Sequence, residues 1–180
     1  MKERKLKEDW RLEQRIAENG KEERVPVYTG TYYMLSAEKK RRLFVPVLIC
    51  FLAFILSGLA FLLLGRAGTY CMYVLPVFLC GLIPAAYWAM GLAGMMTSPA
   101  KMTSVQKEKG ICRAFRSALG CAVLSGMAAV GDAVLILRAA PAGEWVDTVL
   151  LAVCCAFSSA AFLRLRPVCA GMDGKGGVPS

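Results

Sequence analysis

The sequence predicts an all-α integral membrane protein. It has four transmembrane helices arranged as two hairpins, both termini cytoplasmic, and a short amphipathic helix before the first span. Three observations carry this reading. The 180-residue chain is 57% hydrophobic, above the roughly 45–50% of a soluble domain. Its apolar residues are gathered into long uncharged runs. Its Lys and Arg residues fall on one side of those runs.

The uncharged runs set the spans. Leu43 to Gly65 is 23 residues without a charge, Ala67 to Ala100 is 34, Ser117 to Gly131 is 15 and Thr148 to Leu163 is 16. A bilayer core takes about 20 mostly apolar helical residues, whereas apolar runs of about 10–14 residues suit a soluble core. The expected spans are 43–64, 70–95, 116–137 and 146–165. The last reaches length only with Arg164 and Arg166 snorkelling outward. The chain then divides into a cytoplasmic arm over 1–42, a four-helix domain over 43–165 and a disordered tail over 166–180. The first apolar run begins only after 42 residues, so it is expected to be an uncleaved anchor rather than a signal peptide.

Orientation follows from short-loop charge. With the N-terminus inside, Arg24, Lys39, Lys40, Arg41, Arg42, Lys101, Lys107, Lys109, Arg113, Arg116, Arg164, Arg166 and Lys175 are cytoplasmic; Arg66 and Arg138 are outside. The net charge of +9 is therefore a topology signal, and no nucleic-acid partner is expected. Tyr70, Tyr73 and Trp145 fall at the outer interface, where an aromatic belt forms. The expected location is a cell membrane, specifically a bacterial cytoplasmic membrane.

Helices in lipid associate through close approach of small residues. Rows at four-residue spacing occur in three spans: Gly81, Ala85, Ala89 and Ala93; Ser117, Cys121, Ser125, Ala129 and Ala133; Thr148, Ala152, Ala156 and Ala160. The first span offers only Ala53 and Ser57. Spans two, three and four are thus expected to pack closely, with span one peripheral. Ala-rich spans also generate such spacing by composition alone. Pro46, Pro76 and Pro84 are expected to kink the first two spans.

Asp132 is the one charge well inside a span. Six residues before Arg138, it lies about 9 Å below the outer end at 1.5 Å per residue. It is expected to face the bundle, and Arg66 in the other outer loop is its candidate partner, forming a clasp between hairpins. A proton- or cation-coupling role is the competing reading. The serines at 57, 125, 158 and 159 look scattered, with no polar stripe to line a pore.

The arm over 3–19 reads as a helix: Leu6, Trp10, Leu12, Ile16 and Ala17 share one arc, and Asn19-Gly20 is a stop. Residues 25–35 read as extended, with Pro26 and Gly30 among β-favouring residues. Tyr28, Tyr32 and Tyr33, with Trp10, form a candidate interaction segment. The tyrosines either rest at the inner headgroups or dock on a partner or on the middle loop. Ser36 is an N-cap for a helix beginning near Ala37. The middle loop reads as a solvated basic connector, with Gly110 as a stop.

No motif for chemistry is present. There is no histidine, no phosphate-binding loop and no metal-ligand spacing. Six of the eight cysteines lie in spans, where Cys packs as a small apolar residue, so no structural disulfides are expected. The sequence therefore points away from an enzyme and from any cofactor. It points toward an accessory or assembly subunit of a membrane complex, held by a protein partner or by self-association. The alternative is a small oligomeric transporter or channel using Asp132.

Overall fold

The computed structural model describes residues 10–16, 22–29, 32–64, 73–99, 101–139 and 145–173. Strands β1 (Trp10–Ile16) and β2 (Glu22–Tyr28) pair antiparallel, with Trp10 opposite Tyr28 and Ile16 opposite Glu22. Strand β3 (Tyr33–Met34) pairs with β4 (Lys101–Met102), Tyr33 opposite Met102. The helices are α1 (Ala37–Leu64), α2 (Val74–Cys80), α3 (Leu82–Thr97), α4 (Ser104–Lys107), α5 (Arg113–Ala139) and α6 (Val146–Asp173). A π-helical turn, Glu108–Cys112, joins α4 to α5.

Four helical stretches are long and apolar enough to cross a membrane: Glu38–Leu64, Val74–Thr97, Ser104–Arg138 and Val146–Cys169. The third runs 35 residues, about 52 Å at 1.5 Å per residue. A hydrocarbon core is about 30 Å thick, so this stretch is about 22 Å longer than such a core. It begins at the end that also carries Lys39–Arg42 and Arg164, hereafter the basic end.

Three expectations about elements are corrected. The arm is a strand over Trp10–Ile16, not a helix. The same residues also alternate apolar and polar, which is the period of a strand. Asn19-Gly20, read as a helix stop, is equally the dipeptide of a tight hairpin, although residues 17–21 lie outside the described residues. The tail does not leave the helix at 165, because α6 continues to Asp173 through Pro167. Gly110 does not end a helix either. It sits inside the π turn, where an added β-carbon would come 3.3 Å from the backbone of Gly94 and Met95. Its role is close approach of two backbones, not termination.

The expected close packing of spans two and three and of spans three and four is present, but the peripheral place expected for span one is corrected. The most extensive contact is α5 with α6, followed by α1 with α6 and α3 with α5. The fourth span therefore lies between the first and third, and span one is not peripheral. Backbone approach between α1 and the second span, α2 with α3, is slight by comparison, and large rings fill that interface. Phe61 meets Phe78 edge-on at 5.0 Å, and Trp88 takes Phe51 at 5.2 Å and Phe54 at 5.9 Å.

The core seam explains why the small-residue rows failed as a guide. Along α6 the buried residues are Asp147, Leu151, Cys154, Ser158, Ala161 and Leu165, alternating four and three. Along α5 they include Ala114, Ala118, Cys121, Ser125, Ala128 and Asp132. A 3.5-residue repeat keeps a seam against its neighbour. Steps of four instead turn 40° each, so a row of four such residues drifts 120° round the helix. Gly81 and Ala85 are accordingly buried, while Ala89 and Ala93 are exposed. Ser125 is buried and Ala129 half-buried. Ala152, Ala156 and Ala160 all face outward.

The helical ladder of the second span is interrupted just ahead of Pro84. Pro84 has no N–H to give the carbonyl of Cys80, so the ladder lapses between α2 and α3. Gly81 N–H turns instead to the Phe78 carbonyl at 2.9 Å, and the helix resumes with Ala85 N–H on the Gly81 carbonyl at 3.1 Å.

Candidate functional site

Two polar clusters stand out, one at each end of the bundle. At the end opposite the basic one, Asp132 of α5 is 1% exposed. The Thr148 hydroxyl of α6 donates to its Oδ2. A buried carboxylate is costly unless hydrogen bonded, and here a neighbouring span supplies a donor. Arg66, the candidate partner, lies outside the described residues, so the link seen at Asp132 is from span three to span four. Gly131, beside it, presents its backbone to Tyr73 and Val74, bringing the start of span two onto the same level.

The sequence reading missed a second carboxylate here. Asp147, just ahead of the fourth uncharged run, opens the buried seam of α6 and is 2% exposed. The signal available was its spacing: Asp147, Leu151, Cys154 and Ser158 already follow the four-three alternation.

Deeper in the bundle, Ser57, Ser125 and Ser158 are all buried. They are not scattered, as the sequence suggested, but turn inward from three different spans. Each is nevertheless satisfied by its own helix: Ser57 donates to the Ala53 carbonyl at 2.7 Å, Ser125 to that of Cys121 at 2.6 Å and Ser158 to that of Cys154 at 2.7 Å. Such bonding to the preceding turn hides a hydroxyl in an apolar setting. Among these three serines, Ser57 also reaches another span: its Oγ lies 3.1 Å from Cys154 Sγ. The indole N–H of Trp88, wholly buried among Phe51 and Phe54, has no acceptor among the described residues.

The basic end is an ordered cluster, not a solvated connector. Met102 and Ile111 are 2% and 1% exposed, and Lys107 only 6%. The turn of α4 is fixed by Thr103, whose hydroxyl accepts from Gln106 N–H at 3.4 Å. The Gln106 side chain returns to Thr103 N–H at 3.0 Å. This is a reciprocal capping box, legible in the sequence as Thr103-Ser104-Val105-Gln106 but not picked out there.

The tyrosines close this cluster. Tyr33 pairs by its backbone with Met102, and Lys107 Nζ stands 4.4 Å over the Tyr33 ring. Lys101 Nζ lies 4.2 Å over the Tyr32 ring. Cations over aromatic faces are attracted by the ring quadrupole, so the segment before span one is tied to the loop between spans two and three. Trp10 and Tyr28 pair with each other in the separate β1–β2 ribbon. Lys40 adds a third tie. Its ammonium donates to the Met96 carbonyl at 3.0 Å and the Ser98 carbonyl at 2.6 Å. These carbonyls lie at the C-terminus of α3, where helices leave acceptors unfilled and favour a cation.

Taken together, the polar groups of both clusters bind other parts of the same chain. Among the described residues they tie spans to one another. The chain matches no protein-family model, no curated protein and no solved structure.

Proposed function

We propose that this chain is a non-enzymatic accessory or assembly subunit of a membrane complex, set in a bacterial cytoplasmic membrane with both termini cytoplasmic. The orientation is supported by charge. Lys39, Lys40, Arg41, Arg42, Lys101, Lys107, Lys109, Arg113, Arg116, Arg164 and Arg166 gather at one end of the bundle, and positive residues favour the cytoplasmic side.

The observation that carries the assembly role is the outward row Ala152, Ala156 and Ala160 on α6. Among the described residues this row is left exposed rather than buried in the seam. A smooth small-residue face lets another transmembrane helix approach closely and gain dispersion contacts that flexible lipid tails match poorly. The occupant is a spanning helix of a partner protein. The β1–β2 ribbon supplies a second contact outside the bilayer. Affinity purification from native membranes in mild detergent tests the idea. A stoichiometric partner should co-purify with the wild type and be lost with Ala156→Leu or with removal of residues 1–28. A chain that purifies alone and monomeric would overturn it; recovery of a homodimer would make the partner a second copy.

A second reading, an oligomeric transporter, is favoured by the two buried carboxylates Asp132 and Asp147. Flux in liposomes that disappears with Asp132→Asn would support it. The hydroxyl of Thr148 already engaged on Asp132 supports the structural role first.

A further inference from the structure

Two sulfurs meet at the basic end. Cys112 closes the π turn, Cys169 lies near the end of α6, and their Sγ atoms are 3.1 Å apart across 57 residues of sequence. Both are half-buried. Each sits at an irregularity of its helix. The π turn interrupts the regular ladder ahead of α5, a feature common at functional sites. Pro167, two residues before Cys169, cannot donate to the Leu163 carbonyl. Past that lapse, α6 is held by Val168 and Cys169 against the core.

Three of the other described thiols face partners inside the bundle, while no second thiol stands beside Cys50 or Cys80 among the described residues. Cys154 faces Ser57, Cys155 the Ala122 carbonyl at 3.4 Å and Cys121 the Gly81 carbonyl at 3.9 Å, all within the apolar part of the bundle. Thiol exchange needs access for a small reagent and a second thiol within reach. Cys112 and Cys169 meet both conditions.

We propose that Cys112 and Cys169 form a reversible dithiol–disulfide site that reacts with low-molecular-weight disulfides. In its oxidised form the site staples the end of α6 to the π turn. One cysteine, as thiolate, attacks a sulfur of the small disulfide, forming a mixed disulfide and releasing one small thiolate. The other cysteine gives its proton to solvent and attacks the protein-side sulfur of that mixed disulfide. The Cys112–Cys169 bond forms and the second small thiolate leaves. Two electrons pass from the cysteine pair to the small disulfide, which departs as two thiols. The sulfurs need to close by only about 1 Å to reach bonding distance, which side-chain rotation supplies. A small reductant reverses each step.

The test uses the full chain in membranes, treated with oxidised glutathione, alkylated with N-ethylmaleimide, digested and analysed by mass spectrometry. The expected product is a peptide pair joined through Cys112 and Cys169, released by dithiothreitol. In Cys112→Ser the joined pair disappears and Cys169 carries a stable glutathione adduct; Cys169→Ser gives the converse on Cys112 and serves if the first variant fails to accumulate. Stable glutathione adducts on both cysteines of the wild type, without cross-link, would overturn the proposal. So would cross-links spread evenly over other cysteine pairs.

Discussion

Gly91 of α3 lies so close to Ala114 of α5 that a β-carbon on Gly91 would stand 2.6 Å from the Ala114 nitrogen and 2.9 Å from its Cα. The obstacle is backbone, so no rotamer change relieves it. Gly94 meets Gly110 in the same way one turn on, and Gly120 takes Pro84, where an added β-carbon would be 3.1 Å from the proline ring. This glycine-lined seam is where spans two and three come closest.

Gly91→Ala should therefore push spans two and three apart. Overpacking of a tight core costs typically about 1–3 kcal/mol, and here the gain in helix propensity offsets at most about 1 kcal/mol of it. The midpoint of unfolding in a detergent–denaturant titration should fall. An unchanged midpoint would mean the two helices are farther apart than described.

Thr148→Val removes the donor to Asp132 while keeping the side chain's shape. Interhelical hydrogen bonds in membranes are worth about 0.6 kcal/mol on average and up to about 1.7. A loss in that range is expected. In a double-mutant cycle with Asp132→Ala, the second substitution should add less than it costs alone. Strict additivity would show that the two side chains do not interact.

The ring of Tyr33, not its hydroxyl, faces Lys107. Tyr33→Phe should leave the loop over residues 101–112 as protected from amide exchange as in the wild type. Tyr33→Leu should speed exchange there, with a loss of about 0.5–1 kcal/mol for a partly exposed cation–π pair. Equal effects of the two substitutions would transfer the interaction to the hydroxyl.

Lys40→Met keeps the aliphatic stem and removes the ammonium from the end of α3. A cation at a helix C-terminus contributes about 0.3–1 kcal/mol. Faster amide exchange is expected over the last turn of α3, with no change at the far end of the bundle. Loss of protection throughout would mean Lys40 holds more than that terminus.

Ala128 and Ala156 make a matched pair, one buried at 1% exposure and one facing outward. Ala128→Leu should destabilise the purified chain, since a seam this tight has no room for three more carbons. Ala156→Leu should leave the isolated chain as stable as the wild type, confining its effect to assembly.

Four helices long and apolar enough to cross a membrane were legible in the sequence, because length without charge is a one-dimensional property. The sequence also placed the helix start at Ala37, the break near Pro84 and the burial of Asp132, each fixed by a residue's own chemistry, whereas of the other expected breaks α1 runs on through Pro46 and α2 through Pro76. The sequence did not settle which face of each helix is used. Rows of small residues at spacing four looked equivalent in spans two, three and four. The seam keeps Gly81, Ala85 and Ser125 but turns away Ala89, Ala152 and Ala156. The choice depends on the phase of the 3.5-residue seam against a neighbouring helix, and thus on which helices are neighbours. The π turn and the meetings of Asp132 with Thr148, Tyr33 with Lys107 and Cys112 with Cys169 were decided only by tertiary structure. Each joins residues from different elements, and helix packing alone brings them within reach.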